Sequence, residues 1–408
     1  MKGSRMSLPT QMAIGMVLGI AAGALTPAMG LDPSWYKPVG QLFINLVRMV
    51  VVPLVLTTLV AGAADVSKLG RVAGKTLAYY LVTTAVAVVI GLVLANIFQP
   101  GSGLSISTEG LKAKEVAPPT LIDVFLNIVP INPIEALSKG NMLQIIFFAL
   151  LFGFGLSVIG DKGKQVLHFF DGAADVMIKV TGFVMLYAPI GVFGLMAYTV
   201  SMHGLSVLLP LIKLVLVMYL ACILQILIVY LPCVKVTGLT PSRFLKGLAS
   251  PMMIAFTTCS SAAALSTTLL SVQKLGASRS VSSFSIPLGN TINMDGAAIY
   301  MGIAAIFAAE VYGIPMPLDR QLTVILLAVL ASIGSMGVPG AALIMITMVF
   351  TQVGIPLEAI ALVAGVDRIM DMARTTINVL GDATGALFVS KLESDFDPER
   401  GERLAAAE

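Results

Sequence analysis

Charge and histidine are scarce in this sequence. Of its 408 residues, 12% are Asp, Glu, Lys or Arg, about half of the fraction that a soluble globular chain carries. His168 and His203 are its two histidines. The net charge of +3 does not favour a nucleic-acid partner, and the three cysteines fit neither a metal-ligand spacing nor a disulfide framework. The composition therefore argues against an ordinary soluble, nucleic-acid-binding or disulfide-stabilised protein.

Apolar residues, in contrast, are abundant. They make up 57% of the chain, and the mean hydropathy is +0.94. A helix needs about 20 predominantly apolar residues to cross a bilayer. The long segments that meet this length are, roughly, 8–30, 39–64, 74–98, 141–160, 177–200 and 205–232. The chain is therefore predicted to be a multi-pass helical protein of the cell (inner) membrane.

Basic residues recur beside every second boundary of these segments. They are Lys2, Arg5, Lys68, Arg71, Lys75, Lys162, Lys164, Lys235, Arg243 and Lys246. Because cytoplasmic loops are enriched in Lys and Arg, this alternation predicts that both termini and the 233–246 loop are cytoplasmic. An A-x-A-like cleavage site is missing near the first segment, which favours an uncleaved first span.

Two later apolar segments are interrupted near their middles. Residues 247–276 contain TTCSSAAALSTT, and residues 322–350 contain SIGSMGVPG. Each half has about 10–14 residues, too few to cross a bilayer. Since non-helical backbone is tolerated at membrane depth where protein or a cavity covers it, both segments are predicted to be re-entrant hairpins near a transport site. The alternative is two ordinary spans that are kinked at Gly and Pro.

The last apolar segment carries a polar stripe. At about 100° per residue, Asp371, Arg374, Asn378 and Asp382 fall within about 80° of one another, with Thr375 beside them. Charges at membrane depth are costly unless they are paired. Asp371 and Arg374 can pair across one turn, whereas Asp382 has no basic neighbour on its face, which suggests a bound cation. The residues expected to face lipid are Ile369, Met372, Ala373, Val379 and Leu380.

A second polar cluster lies within SIPLGNTINMDGAAIYMG at 285–302. Its polar side chains are Asn290, Thr291, Asn293 and Asp295. Gly289 and Gly296 are expected to let the backbone unwind and bend here. Carboxylate, amide and backbone oxygens are hard ligands, which suit Na⁺ better than a soft metal. Helix-packing hydrogen bonds are the alternative explanation, but two Asp–Asn pairs in consecutive spans favour the cation.

Two enzymatic hypotheses account for these motifs less well. An intramembrane serine protease needs a Ser–His pair, and although Ser260 and Ser261 are candidates, neither histidine lies near a polar stripe. An intramembrane aspartyl protease could use Asp295 and Asp382, but Arg374 would then have no role. We therefore expect a transporter rather than an enzyme.

The motifs resemble those of the glutamate transporter family. This family comprises sodium-coupled dicarboxylate and amino-acid symporters, among them the archaeal aspartate transporters and the excitatory amino-acid transporters. The matching motifs are VPINPIEAL (129–137), YAPIGVFGLMAY (187–198), NMDGAA (293–298), GVPGA (337–341) and DMARTTINVLGD (371–382). They keep the family's order and spacing over nearly the whole chain.

The resemblance implies an all-α fold of eight transmembrane helices and two re-entrant hairpins, with inverted repeats and a homotrimeric assembly. It also implies an elevator mechanism, in which a transport domain moves against a scaffold. The expected divisions are scaffold at 1–73, the third span of the transport domain at 74–98, an extracellular loop region at 99–140, scaffold at 141–200, transport domain at 201–392 and a cytoplasmic tail at 393–408.

The resemblance further implies a substrate site on the last span. Asp371 is expected to hold the amino group of the substrate and Arg374 its side-chain carboxylate, with Thr375 assisting. Asn378 and the tip of the first hairpin are expected to hold the main-chain carboxylate, and the second hairpin to form an extracellular lid. The hairpin residues concerned are Ser260, Ser261, Gly337, Val338 and Ala341.

Three Na⁺ sites also follow from the resemblance. The first comprises Gly289, Asn293, Asn378 and Asp382. The second comprises Thr291, Met294, Ser332, Ile333 and Ser335. The third comprises Asn293 and Asp295 with Tyr80, Thr83 and Thr84 of the third span, for which helix–helix hydrogen bonds are the alternative.

Two residues depart from the family's acidic amino-acid carriers. Ala297, at the substrate site, replaces their usual Thr, and Cys259 replaces the arginine of archaeal members; neutral amino-acid exchangers share both changes. Those exchangers lack the arginine kept here as Arg374, and dicarboxylate carriers lack the aspartate kept as Asp371. The pair predicts sodium-coupled symport of L-aspartate or L-glutamate. The alternatives are a sodium-coupled neutral amino-acid transporter, a proton-coupled dicarboxylate transporter, and an anion channel or amino-acid sensor of the same fold.

Overall fold

The computed structural model describes residues 8–66, 70–104, 126, 129–333 and 341–399. Several predicted features lie outside the described residues: Lys2, Arg5, Lys68, residues 105–123 of the predicted loop, and residues 400–408. Ser335, Gly337 and Val338 lie outside them as well. Ala341 begins a helix, but its side chain also lies outside the described part.

Helices make up most of the described chain, which contains no strand within those ranges. The first half forms α1 (Leu8–Leu25), α2 (Lys37–Val66), α3 (Gly70–Phe98), α4 (Pro133–Lys139), α5 (Met142–Val158) and α6 (Lys164–His203). Helices α2, α3 and α5 match predicted apolar segments to within a few residues. Helix α1 ends at Leu25 rather than near residue 30, α6 begins at Lys164 rather than near residue 177, and α4 lies within the predicted loop region 99–140.

The second half contains a larger number of shorter helices. They are α7 (Leu208–Gln225), a π-helical segment (Ile226–Tyr230), α8 (Leu231–Thr237), α9 (Pro241–Gly247), α10 (Ala249–Thr258), α11 (Ser261–Lys274), α12 (Arg279–Ile292), α13 (Asp295–Val311), α14 (Leu318–Ser332), α15 (Ala341–Val353) and α16 (Ala359–Leu392). The breaks between α10 and α11 and between α12 and α13 coincide with interruptions that the sequence predicts, whereas several other breaks were not predicted.

Three helical spans of the described chain are long and apolar enough to cross a membrane: Arg71–Phe98, Leu205–Thr237 and Arg279–Val311. Helix α6 provides a fourth if its halves, bent by 45°, count as one span. The bend falls four residues before Pro189, where proline removes a backbone hydrogen bond. The protein is thus an all-helical membrane protein with several spans.

A row of glycines packs α1 against α6. A Cβ atom added to Gly15, Gly19 or Gly23 would press on the carbonyl oxygens of Pro189, Phe193 and Ala197 in turn. Small residues at this four-residue spacing let two helix backbones approach closely within a membrane. The contact therefore depends on the missing side chains.

The first interrupted segment is a helical hairpin. Helices α10 and α11 pack against each other, and α10 ends where Cys259 adopts the left-handed conformation at φ 52°. The Ser260 side chain then accepts a hydrogen bond from the backbone N–H of Ala263 and caps α11. Helices α14 and α15 of the second interrupted segment also pack against each other.

The backbone unwinds between α12 and α13, as the sequence predicts. Asn293 and Met294 have non-helical dihedral angles. The expected role of the flanking glycines is wrong, however, because Gly289 and Gly296 lie inside helices. They are needed for close approach instead: a Cβ at Gly289 would collide with the carboxylate of Asp382, and one at Gly296 with the carbonyl of Arg374.

Helix α16 runs through the centre of the second half, where it contacts α3, α7 and α10–α13. The prediction that one face of α16 contacts lipid is therefore wrong for the part of the helix that includes Val379 and Leu380. Of its predicted lipid-facing residues, Ile369 is exposed at 39%, but Val379 and Leu380 are buried. Helix α6 packs against α1 and α2, and α2 packs against α5. These four helices form a second packing group, which α16 also contacts.

We expect Gly19→Val to destabilise the protein, because its Cβ would overlap the carbonyl oxygen of Phe193. Overpacking of this kind typically costs about 1–3 kcal/mol. Thermal unfolding in detergent, followed by circular dichroism, should show a lower melting temperature. Gly172→Val on α6 is the matched control, since open space surrounds Gly172; equal melting temperatures for the two variants would contradict the close α1–α6 contact.

Candidate functional site

Four polar residues of α16 form a buried charge cluster. Arg374 donates from Nε to Asp371 Oδ1 at 3.1 Å and from Nη1 to Asp367 Oδ1 at 2.9 Å. Thr375 donates to the same oxygen of Asp371 at 2.8 Å, and the Tyr300 ring centroid lies 4.7 Å from Arg374 Cζ. All of these side chains are buried. Two carboxylates and one aromatic face therefore stabilise a guanidinium that burial alone would destabilise.

Asp367 was not among the predicted site residues, although the sequence contained the signal. It precedes Arg374 by seven residues, which is about two turns of helix. On the helical projection it falls within the same stripe of about 80° as Asp371 and Asn378. The stripe could therefore have been extended by one turn toward the N-terminus.

A second cluster surrounds Asp382. Its Oδ1 accepts a hydrogen bond from Asn293 Nδ2 at 2.9 Å, and no other hydrogen bond to this carboxylate occurs among the described residues. Gly289 lies against the carboxylate, and the Tyr80 hydroxyl lies close to the same point while it donates to the carbonyl of Ser285 at 2.9 Å. The structure thus brings together Gly289, Asn293 and Asp382, three of the four residues of the first predicted Na⁺ site, with Tyr80 beside them.

Asn378 links the unwound segment to α16. Its Oδ1 accepts a hydrogen bond from the backbone N–H of Gly296 at 2.8 Å, and its Nδ2 contacts Met294 Sδ at 3.3 Å. Asn378 therefore holds the start of α13 against the polar stripe. Ala297 follows in the first turn of α13 and is buried.

A third cluster surrounds Asp295, which is fully buried. Thr84 donates to its Oδ1 at 2.7 Å, and Thr83 lies 3.4 Å from the same oxygen and 3.5 Å from Asn293 Oδ1. Its Oδ2 accepts from Tyr230 at 2.7 Å and from Gln225 at 3.2 Å. Four donors satisfy the lone pairs of this carboxylate far more completely than those of Asp382.

Gln225 and Tyr230 were not predicted, and the sequence held no clear signal for them. Residues five apart lie about 140° apart on an α-helix, so the two would point to different neighbours. The π-helical segment Ile226–Tyr230 closes i→i+5 hydrogen bonds instead. This local winding brings both side chains to Asp295.

The remaining predicted residues are less closely connected. Thr291 and Ser332 each donate to a carbonyl of their own helix, while Ile333 packs against the cluster that contains Leu288 and Ile292. At the hairpin tip, Ser261 donates to Asn290 Oδ1 at 2.7 Å. The described residues alone therefore do not assemble the second predicted Na⁺ site.

The arrangement of unwound helix, paired broken helices and buried opposite charges is typical of a secondary transporter. The profile described as the sodium:dicarboxylate symporter family matches residues 8–392. The chain belongs to the sodium:dicarboxylate symporter family. This membership confirms the resemblance to glutamate transporters, and it confirms a membrane symporter rather than an enzyme.

Similar proteins cover almost the whole chain. It is 39% identical to the proton/sodium-glutamate symport protein of Geobacillus stearothermophilus, over 98% of each chain. It is 38% identical to the proton/glutamate-aspartate symporter of Escherichia coli, over 98% of this chain and 96% of that one. It is 36% identical to the C4-dicarboxylate transport protein of Bacillus subtilis, over 96% and 94%. The similar proteins therefore differ in the substrates and ions that their names give.

We expect Thr84→Val to lower the melting temperature of the symporter in sodium-free buffer, because it removes the 2.7 Å hydrogen bond to Asp295. A buried polar group that loses its partner costs about 1–3 kcal/mol. Thr347→Val is the matched control, since Thr347 is buried but donates to the carbonyl of Leu343 in its own helix. If the two variants have the same melting temperature, the hydrogen-bond network around Asp295 does not stabilise the fold.

Proposed function

We propose that this symporter carries L-aspartate or L-glutamate together with Na⁺. The observation that carries the proposal is the pairing state of Asp371. Its Oδ1 is occupied by Arg374 and Thr375, but its buried Oδ2 has no hydrogen-bond partner among the described residues. A buried carboxylate oxygen that accepts no described hydrogen bond, with Arg368 Nη1 at 3.8 Å and Arg374 on the other oxygen, suits a ligand that carries an ammonium next to a carboxylate.

Arg374 provides the matching cation for the side-chain carboxylate of the substrate. A guanidinium presents parallel N–H groups that fit a carboxylate bidentately. In this structure these donors are shared between Asp367 and Asp371. When substrate binds, its ammonium pairs with Asp371. Arg374 then presents one edge of its guanidinium to the side-chain carboxylate of the substrate, while its Nη1 stays hydrogen-bonded to Asp367. Thr375 holds Asp371 in place, and Asn378, Ser260 and Ser261 take the main-chain carboxylate.

Na⁺ is the cargo that accompanies the amino acid. Asp382 is the stronger candidate for holding it, because a single described hydrogen bond reaches this buried carboxylate and a cation would satisfy the rest. Gly289, Asn293 and Asn378 complete this first site. In the proposed third site, Thr83 and Thr84 turn hydroxyl lone pairs to an ion beside Asp295. The second site would comprise Thr291, Met294, Ser332, Ile333 and Ser335.

Transport by an elevator motion within a homotrimer is part of the proposal. The two packing groups of the fold support it, since α1, α2, α5 and α6 correspond to the scaffold and the helices around α16 to the transport domain. In this arrangement α10–α11 and α14–α15 are re-entrant hairpins among eight spans, residues 337–341 form the outer lid, and both termini are cytoplasmic.

Proton-coupled transport of a C4-dicarboxylate is the second candidate function. The similarity to a C4-dicarboxylate transport protein and to symporters named for both proton and sodium favours it. Asp371 argues against it, because a dicarboxylate has no ammonium to satisfy Oδ2. Ala297 and Cys259 instead favour neutral amino acids, but Arg374 would then face an uncharged side chain.

Asp382→Asn should weaken the sodium dependence of uptake, because a neutral amide attracts a cation less than a carboxylate does. The measurement is radiolabelled aspartate uptake into proteoliposomes over a range of sodium gradients. Asp319→Asn is the control, since Asp319 lies in the first turn of α14, outside the buried clusters. Wild-type uptake that is equally fast in choline and in sodium, and that follows a pH gradient alone, would rule out sodium coupling.

Arg374→Cys should nearly abolish binding of aspartate and glutamate. Removal of one partner of a desolvated charge pair costs roughly 2–5 kcal/mol, or about 30- to several-thousand-fold in affinity. Serine, alanine or cysteine should then compete, because Asp371 still holds an ammonium. Calorimetry on the purified variants measures both effects.

The same substitution leaves Asp367 and Asp371 without their shared cation, so the double variant Asp367→Asn/Arg374→Cys serves as the control for folding. It should retain the specificity change while it restores the melting temperature in part. Serine or alanine binding as tightly as aspartate to the wild type would instead identify neutral amino acids as the native substrates.

A further inference from the structure

Arg368 is a second buried arginine that none of the roles above uses. It lies on α16 with 8% of its surface exposed. Its Nη2 donates to the backbone carbonyl of Thr258 at 3.2 Å, and its Nη1 lies 3.8 Å from Asp371 Oδ2. A buried guanidinium is costly unless its donors are used. These two contacts are the ones that stabilise it, since its Nε has no hydrogen-bond partner among the described residues.

The contact with Thr258 is the firmer of the two. Thr258 is the last residue of α10, and the last carbonyls of a helix lack intrahelical donors and carry the negative end of its dipole. Arg368 therefore caps α10 from a different helix. The contact with Asp371 exceeds hydrogen-bond length, and Arg374 already pairs with that carboxylate, so neutralising Asp371 does not explain Arg368.

The capped helix end is the tip of the first hairpin. Cys259 follows Thr258 in a left-handed conformation that costs a non-glycine residue free energy, and such a conformation persists where surrounding contacts hold it. Arg368 supplies a contact on the α10 side of the tip. Ser261, through its hydrogen bond to Asn290, supplies one on the α11 side.

We infer that Arg368 is a positioning residue that fastens the tip of the first hairpin to α16. The two terminal nitrogens of its guanidinium lie against the C-terminus of α10 and near Asp371, respectively. We call the contact between Arg368 and the carbonyl of Thr258 the clasp. Its role in transport rests on the proposed function: the clasp keeps Ser260 and Ser261 close enough to Asp371 for one substrate molecule to contact both the hairpin and α16. Loss of the clasp frees the tip to open.

The chain contains its own reporter of tip opening. Cys259 lies next to Thr258 and is 1% exposed. The other cysteines, Cys222 and Cys233, can be replaced by alanine to leave a single thiol. The rate at which N-ethylmaleimide alkylates Cys259 in detergent, without substrate, then measures how often the tip opens.

Arg368→Met should raise this alkylation rate about tenfold or more, which corresponds to loss of one hydrogen bond from a charged donor in the closed state. Methionine has a similar length and leaves no unpaired buried charge. Arg368→Lys, which retains a donor, should give an intermediate rate. Arg320→Gln is the matched control, because Arg320 also donates to a backbone carbonyl, that of Pro315, but at an exposed position.

An unchanged alkylation rate in Arg368→Met, with a melting temperature equal to that of the control, overturns the inference. If Arg368→Met fails to fold, the two single variants Asn290→Ala and Arg368→Lys provide the test. Each must accelerate the alkylation of Cys259, since each weakens one side of the tip, and unchanged rates in both variants overturn the inference.

Aspartate uptake separates this inference from the proposed function. The clasp predicts a higher KM for aspartate in Arg368→Met. Accelerated alkylation without aspartate uptake by the wild type would support the clasp and reject the substrate assignment. Wild-type uptake with unchanged KM and alkylation in Arg368→Met would support the substrate assignment and reject the clasp.

Discussion

Burial of opposite charges on one helix is the interaction on which the rest of this structure depends. Arg374 lies between Asp367 and Asp371 with less than a tenth of each side chain exposed. Ionised groups inside a membrane protein are tolerated only when they are paired, so the polar stripe of α16 must be enclosed by protein. The helices around it supply that enclosure.

Close approach of backbones is the second requirement, and glycine provides it in two places. Between α1 and α6 the glycine row lets the two helix backbones approach closely, and Ser201 of α6 donates a hydrogen bond to the carbonyl of Gly23 in that row. Around the polar clusters, Gly289 admits the carboxylate of Asp382 and Gly296 admits the carbonyl of Arg374. The clusters around Asp382 and Asp295 share the unwound segment, since Asn293 donates to Asp382 and lies 3.5 Å from the hydroxyl of Thr83.

The accuracy of the sequence predictions varied with the range of the interaction. Helical periodicity correctly joined Asp371 to Arg374, since the two are one turn apart. The interruptions in the apolar segments correctly marked the helix break at Cys259 and the unwinding at Asn293. The same periodicity wrongly assigned Val379 and Leu380 to lipid, because a stripe reveals which residues are polar but not how many helices surround them.

The sequence by itself determined a multi-pass helical symporter, the position of its broken helices and the polar stripe of α16, because hydropathy, periodicity and motif spacing are local. The tertiary structure decided which buried carboxylate accepts several hydrogen bonds and which accepts few. Gln225 and Tyr230 reach Asp295 only through a π-helical turn, whereas Asp382 keeps a single described donor. Arg368 likewise acquires a role only when α10 ends beside it. These outcomes depend on contacts between residues 65–110 positions apart, which no local pattern encodes.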